Sequence, residues 1–306
     1  MGRYVARRLL AALVTGWIVA TAGFLLVEII PGDPARQLAG PGASAESLAA
    51  IRAAYGFDEP LPVRYVESLT RMAQGDLGYS FAKAEPVTDA LLRSLPTTLL
   101  LTGLAFTVEV LIAVPLALWV VSRGGFVDRL LVILAGFTAA IPAFLVGLLL
   151  IYLFAFRLRI FPLGGGGEPA AYVLPVLTLG VPFGLVLARL LRTSLLEQQN
   201  QPYITFSSAL GEGAWSVRWR HLLPNALLPL LSILSLDFAG LFSSVAVVEV
   251  AISMPGLGAD LLLGLKRLDT ALIVGIGIIA GLLVALVNLL ADLAVIVIDP
   301  RVRRST

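Results

Sequence analysis

The chain is predicted to be an all-α polytopic membrane protein with six transmembrane helices and a small external helical subdomain after the first. Three observations predict it. Hydrophobic residues make up 58% of the 306 and charged residues 14%, whereas a soluble domain sits near half apolar and a quarter charged. Six apolar runs each reach the roughly 20 residues needed to cross ~30 Å of hydrocarbon. They lie near Leu9–Ile30, Thr97–Val121, Leu130–Phe156, Tyr172–Leu191, Ala226–Ile252 and Ala271–Ile298. These runs are continuous and do not alternate polar with apolar, which argues against a transmembrane β-barrel.

Residues 1–30 hold a short basic segment, Arg3, Arg7 and Arg8, and the first apolar run. That opening is similar to a signal peptide, but the run is too long and no Ala-x-Ala site follows, so it is read as a retained helix. Residues 31–93 are the only sizeable segment outside the apolar runs. Pro31-Gly32-Asp33-Pro34 ends the first helix. Ser44 is placed to cap a helix over Ala45–Tyr55, Asp58–Pro62 is a turn, and Val63, Val66 and Leu69 recur at helical spacing. Gly75–Tyr79 is a second turn. This punctuation favours a compact helical subdomain over a mobile loop.

Residues 94–306 form the transmembrane domain. Pro115, Pro142, Pro175 and Pro182 fall inside apolar runs, where proline removes a helix hydrogen bond and kinks the span. A polar segment over 200–222 separates the fourth and fifth runs. Pro255-Gly256-Leu257-Gly258 interrupts the chain before the last run, with a short helix expected over Leu261–Leu265.

Orientation follows the basic residues of the short loops. With both termini inside, the inner segments carry Arg123, Arg129, Arg189, Arg192, Arg218 and Arg220 besides the terminal arginines, while acids offset the few basic residues of 31–93. The net charge of +2 gives no reason to expect nucleic acid as a partner. The chain has no cysteine and one histidine, His221, so it cannot build a thiolate or histidine metal site of its own. A phosphate-binding P-loop requires Gly-Lys followed by Ser or Thr. Gly-Lys does not occur, and the only lysines are Lys83 and Lys266. No catalytic set is recognisable; the chain is expected to be neither an enzyme nor the holder of a cofactor.

Within 203–227, YITFSSALGEGAWSVRWRHLLPNAL, two short helices joined near Gly211–Gly213 are expected, Gly211 ending the first in left-handed geometry. Ser207, Ser208 and Ala209 are small enough for a partner to approach closely. Leu210, Ala214 and Trp215 could fill a partner's pocket. The alternative is an interfacial helix lying on lipid headgroups, anchored by Trp215, Trp219, Arg218 and Arg220.

The segment resembles the cytoplasmic coupling loop of ABC importer permeases of the dipeptide/oligopeptide/nickel family. The matching positions are Tyr203, Ala209, Gly211, Arg220, His221, Asn225 and Ala226. The resemblance spans the chain. It continues through Pro31–Pro34, Tyr55–Asp58 with Pro60–Pro62, Gly75–Ser80, Leu95–Thr98, Pro255–Gly258 and Asp299–Arg303. It implies a permease of a bacterial or archaeal cytoplasmic membrane. The partners it implies are a second permease, two ABC ATPases that bind ATP and Mg, and an extracytoplasmic binding protein. In this reading Tyr203, Ser208, Ala209, Leu210, Gly211, Ala214, Trp215, Arg220 and His221 couple to the ATPases. Thr205, Ser208 and Leu210 stand where the family usually carries basic residues, which implies a more apolar partner groove.

Met254, Pro255, Gly256 and Leu257 are expected near an outer gate, with a plain outer turn as the alternative. Acids inside spans face the bundle interior or a cavity; these are Glu109, Asp237, Glu249 and Asp292. Glu249 precedes the Pro-Gly-Leu-Gly turn as in the family. Asp237 would favour cationic cargo if it lined the pathway. A secondary transporter or channel working without ATPases is the competing reading, in which these acids would be ion sites.

Overall fold

A computed structural model describes residues 2–29, 34–40, 42–55, 58–165 and 167–298. The Pro31–Asp33 turn, Gly56-Phe57 and the ending Asp299–Arg303 lie outside the described residues, as do the side chains of Arg3, Arg7, Arg8 and Asp292. The helices are α1 Gly2–Ile29, α2 Pro34–Ala39, α3 Ala45–Tyr55, α4 Leu61–Ala73, α5 Val87–Arg123, α6 Gly125–Ala140, α7 Ala143–Leu150, α8 Val173–Gln199, α9 Pro202–Ala209, α10 Ala214–Ser216, α11 Leu223–Ala251, α12 Leu257–Arg267 and α13 Thr270–Ile298. A two-residue hairpin, β1 Tyr79–Ser80 and β2 Glu85–Pro86, precedes α5 in antiparallel register.

Among the described residues, three helices are long and apolar enough to cross a membrane: α5, α8 with the turn before it, and α13. A fourth is made if α6 and α7, with its π-helical continuation Ile151–Arg157, count as one bent span. The run expected as a single span over Leu130–Phe156 is in fact broken by 96°. Its cause is local. Pro142 has no N–H to give and drives the residue before it out of the helical region; Ile141 is extended at φ −96°, ψ 126°. The second span also begins earlier than hydropathy indicates, at Val87 rather than Thr97, because its first turns carry polar Thr88, Asp89 and Arg93.

α5 and α8 form the densest contact. α5 turns Ala105, Glu109, Ala113 and Ala117 inward at intervals of four, all fully buried. α8 answers with Gly180, Gly184 and Ala188. A Cβ on Gly180 would stand 2.9 Å from the Ala105 carbonyl oxygen, and one on Gly184 3.1 Å from that of Glu109. Small residues at this spacing let backbones touch where lipid supplies no hydrophobic drive for association. At one end of α8, Arg192 grips Asp128 of α6 with Nε and Nη2 at 2.5 and 2.6 Å.

Between α1 and α5 the expected helices are present as α3 and α4. Ser44 Oγ accepts from Ser47 N at 3.2 Å, the expected cap. Tyr65 of α4 seats the segment on α1, its hydroxyl 2.7 Å from Thr21 Oγ1 and its ring edge-on to Phe24.

Candidate functional site

The polar insert is built on a buried base. Ile204 of α9, Val217 and Leu222 pack with Leu191 and Leu195 of α8 and Ala226 and Leu230 of α11 into one apolar cluster. Ser194 Oγ donates to the Ala226 carbonyl at 2.7 Å, tying α8 to the root of α11. Tyr203 donates from its hydroxyl to Gln198 Oε1 at 2.8 Å, and burial pushes its phenol up from the ordinary value.

Gly211 closes α9 as expected. Its φ is +84°, Gly211 N donates to Ser208 O and Glu212 N to Ser207 O, which together satisfy the orphan carbonyls of the helix end. The space around Gly211 is open. Gly211→Ala is therefore expected to cost about 1 kcal/mol through backbone strain alone, read as a lowered melting temperature with the loop's fold retained.

Of the residues expected to face a partner, Ser208, Ala209, Leu210, Gly211, Ala214, Trp215 and Arg220 are exposed, and Tyr203 and His221 are half-buried. Ser207 is not available; it is buried against the bundle. Phe206 went unrecognised in the sequence but stands 65% exposed beside Leu210 at 67% and Trp215 at 69%. Trp219 lies against Trp215 with ring centroids 5.5 Å apart. Glu212 is a second addition. Its carboxylate lies 3.0 Å from His221 Nε2 and accepts from Ser216 Oγ at 3.2 Å, clipping the two sides of the insert together. Asn225 Nδ2 then donates to the His221 carbonyl at 2.7 Å.

A second constellation surrounds the turn after α11. Met254 and Leu257 are buried, and Pro255 is exposed. Glu249 is fully buried and satisfied: Thr98 Oγ1 donates to its Oε1 at 2.7 Å and Gly258 N to its Oε2 at 2.8 Å. Leu257 N in turn donates to Thr98 Oγ1 at 2.9 Å. Asp260 receives Lys83 Nζ at 2.7 Å and Ser94 Oγ at 2.5 Å. Asp269 receives Ser80 Oγ at 2.6 Å and Ala82 N at 2.9 Å. Three carboxylates thus latch α12 and its flanks to the hairpin and to the first turns of α5. Gly256 and Gly258 make the fit feasible. A Cβ on the first would stand 2.2 Å from the Glu249 carboxylate, and one on the second 2.1 Å from Ala246 O.

Thr98 and Leu257 of this latch also line a cavity of about 480 Å³, shared with Thr15, Phe242, Ser243 and Asn288. Asp237 is not among its lining residues. It is directed toward Glu109 of α5 instead.

A family model described as binding-protein-dependent transport system inner membrane component matches residues 109–304, and its N-terminal companion matches residues 1–102. A probable peptide ABC transporter permease protein, y4tP of Sinorhizobium fredii, is 34% identical over 99% of this chain and 100% of its own length. The glutathione transport system permease protein GsiC of Salmonella paratyphi A is 35% identical over 99% of both. Among solved structures, the MetNI methionine ABC transporter in an inward-facing conformation aligns at TM-score 0.53 and 21% identity, covering 69% of this chain and 96% of that one. An amino acid ABC transporter with histidines aligns at TM-score 0.53 and 21% identity, covering 67% and 92%.

Proposed function

Since the chain belongs to the family of binding-protein-dependent transport system inner membrane components, and is the permease subunit of an ABC importer, we propose a division of labour among its parts. The insert over 200–222 docks in a groove of an ABC ATPase and carries that protein's closing motion into the bundle. The observation that carries this reading is the exposed apolar rim of Phe206, Leu210, Trp215 and Trp219 standing on a base buried in α8 and α11. Exposed apolar patches mark protein or membrane contacts, and a chain with no P-loop needs a partner ATPase if ATP is to drive it.

Six spans are assigned: α1, α5, the bent α6–α7 pair, α8, α11 and α13. Both termini and the insert lie in the cytoplasm, and residues 31–93 face outward, where an extracytoplasmic binding protein delivers cargo. A second permease subunit encloses the pathway with this one, and two ATPases supply the ATP and Mg chemistry. The latch around Glu249 holds the outer gate formed by Met254, Pro255, Gly256 and Leu257. Peptides or similar small polar solutes are the proposed cargo, on the strength of relatives named for peptide and glutathione transport.

Affinity purification of the chain from its native membranes in mild detergent, with mass spectrometry of its companions, tests this. A second permease and P-loop ATPases in stoichiometric amounts are expected. A chain that purifies stably and without any ATPase would return the insert to the lipid headgroups and sink the coupling role.

A further inference from the structure

Glu109 is fully buried in the seam where α5 meets α8, and neither of its carboxylate oxygens has a hydrogen-bond donor among the described residues. Its carboxyl reaches the Asp237 side chain of α11, whose buried Oδ2 has none either. The register of the two helices at this level is fixed independently. Phe106, one turn from Glu109, meets Phe238 edge-on with centroids 5.7 Å apart. Gly184 seals the other side, close against the Glu109 carbonyl. Glu249 makes the contrast plain, because it is equally buried but takes two donors.

Ionised carboxylates accept and never donate, so two of them facing each other in an apolar interior lack one thing only, a hydrogen between them. Carboxylates sharing a site cannot both stay charged. Among the described residues, no cation partners the Glu109 carboxylate to do the work instead. α7 has no charged residue, α8 has none from Val173 to Leu187, and α13 has none from Thr270 to Leu290. Of the charges opening α6 and following on α8, Asp128 and Arg192 are committed to each other, and Arg129 and Arg189 are exposed. Cargo cannot reach a side chain with no exposed surface, but a proton can.

We infer that Glu109 and Asp237 form a proton-binding site inside the bundle, in which Glu109 is the acid and donates its O–H to the Asp237 carboxylate. The half-buried Asp237 is the side open to exchange. The proton is the hydrogen bond that joins α5 to α11 at this level, so emptying the site requires those helices to part or water to enter.

Dicyclohexylcarbodiimide, which couples to protonated carboxyls in apolar surroundings, tests this in native membranes at neutral pH, the adduct being located by peptide mass spectrometry. Glu109 is expected to be labelled and Glu249 spared. Glu109→Gln, which keeps the shape and a donor, is expected to accumulate normally with the label gone. Asp237→Asn is expected to cut labelling of Glu109 several-fold, because the amide donates to the carboxylate and the like charge is removed. Absence of adduct at Glu109, equal labelling of Glu249, or protection of Glu109 by sodium chloride but not potassium chloride would each overturn the assignment, the last in favour of a sodium site.

Discussion

Alanine in place of Trp215 is expected to reduce the ATPase recovered with the chain roughly 30-fold, measured as the shift in the ATPase concentration needed for half-maximal assembly. Truncating an aromatic at the centre of a docking patch costs about 2 kcal/mol or more, and each 1.4 kcal/mol is about a factor of ten in affinity. Trp215 is 69% exposed, its ring meets that of Trp219 at a tilt of 52°, and it is not part of the cluster of Ile204, Val217 and Leu222, so its loss leaves that base in place. The chain's own melting temperature is therefore expected to stay within a degree or two of the parent, since exposed substitutions move stability by only about 0.5 kcal/mol. Unchanged assembly with Trp215→Ala would move the docking surface elsewhere on the insert or off it.

A methyl group at position 258 is expected to be far more damaging to stability. It would stand 2.1 Å from the Ala246 carbonyl oxygen and 2.4 Å from Ala246 Cα, and backbone cannot swing aside as a side chain can. Gly258→Ala must push α12 away from α11, breaking the bond from Gly258 N to Glu249 and stretching that from Leu257 N to Thr98. Overpacking of this kind costs about 1–3 kcal/mol, and a buried Glu249 short of one donor adds to it. A fall in melting temperature and faster proteolysis near the hairpin are the expected signs. Gly213→Ala is the matched control, with open space around it and an unstrained φ of −62°. Equal melting temperatures for the two variants would contradict the tight seat of α12.

The apolar runs announced the long helices, and Ser44 and Gly211 announced one end each of the short α3 and α9, because hydropathy and capping act over a few residues; α4 instead opens at Leu61, inside the stretch read as a turn. The 96° break at Pro142 was legible only as a kink, since its angle depends on what α7 packs against. The latch was largely invisible for another reason. Thr98 and Glu249 are 151 residues apart, and Ser80 and Asp269 are 189 apart. Nothing local marks Asp260 or Asp269 as partners of Lys83 or Ser80. Phe206 was missed because α9 carries apolar residues on both sides. Only the burial of Ile204 and Ser207 decides that Phe206 faces out.

α11 leaves the apolar base of the insert at Leu223 and, with Pro229 inside it, stays helical as far as the carboxylate of Glu249. That makes it a lever some 26 residues long, about 39 Å at 1.5 Å per residue. A tilt of about 5° at the insert sweeps the far end by about 3 Å, as much as a whole hydrogen bond. The Thr98–Glu249 contact at that end has no slack to absorb such a stroke. In the coupling role proposed above, a push on the insert would travel along this helix to the polar clasps around Glu249.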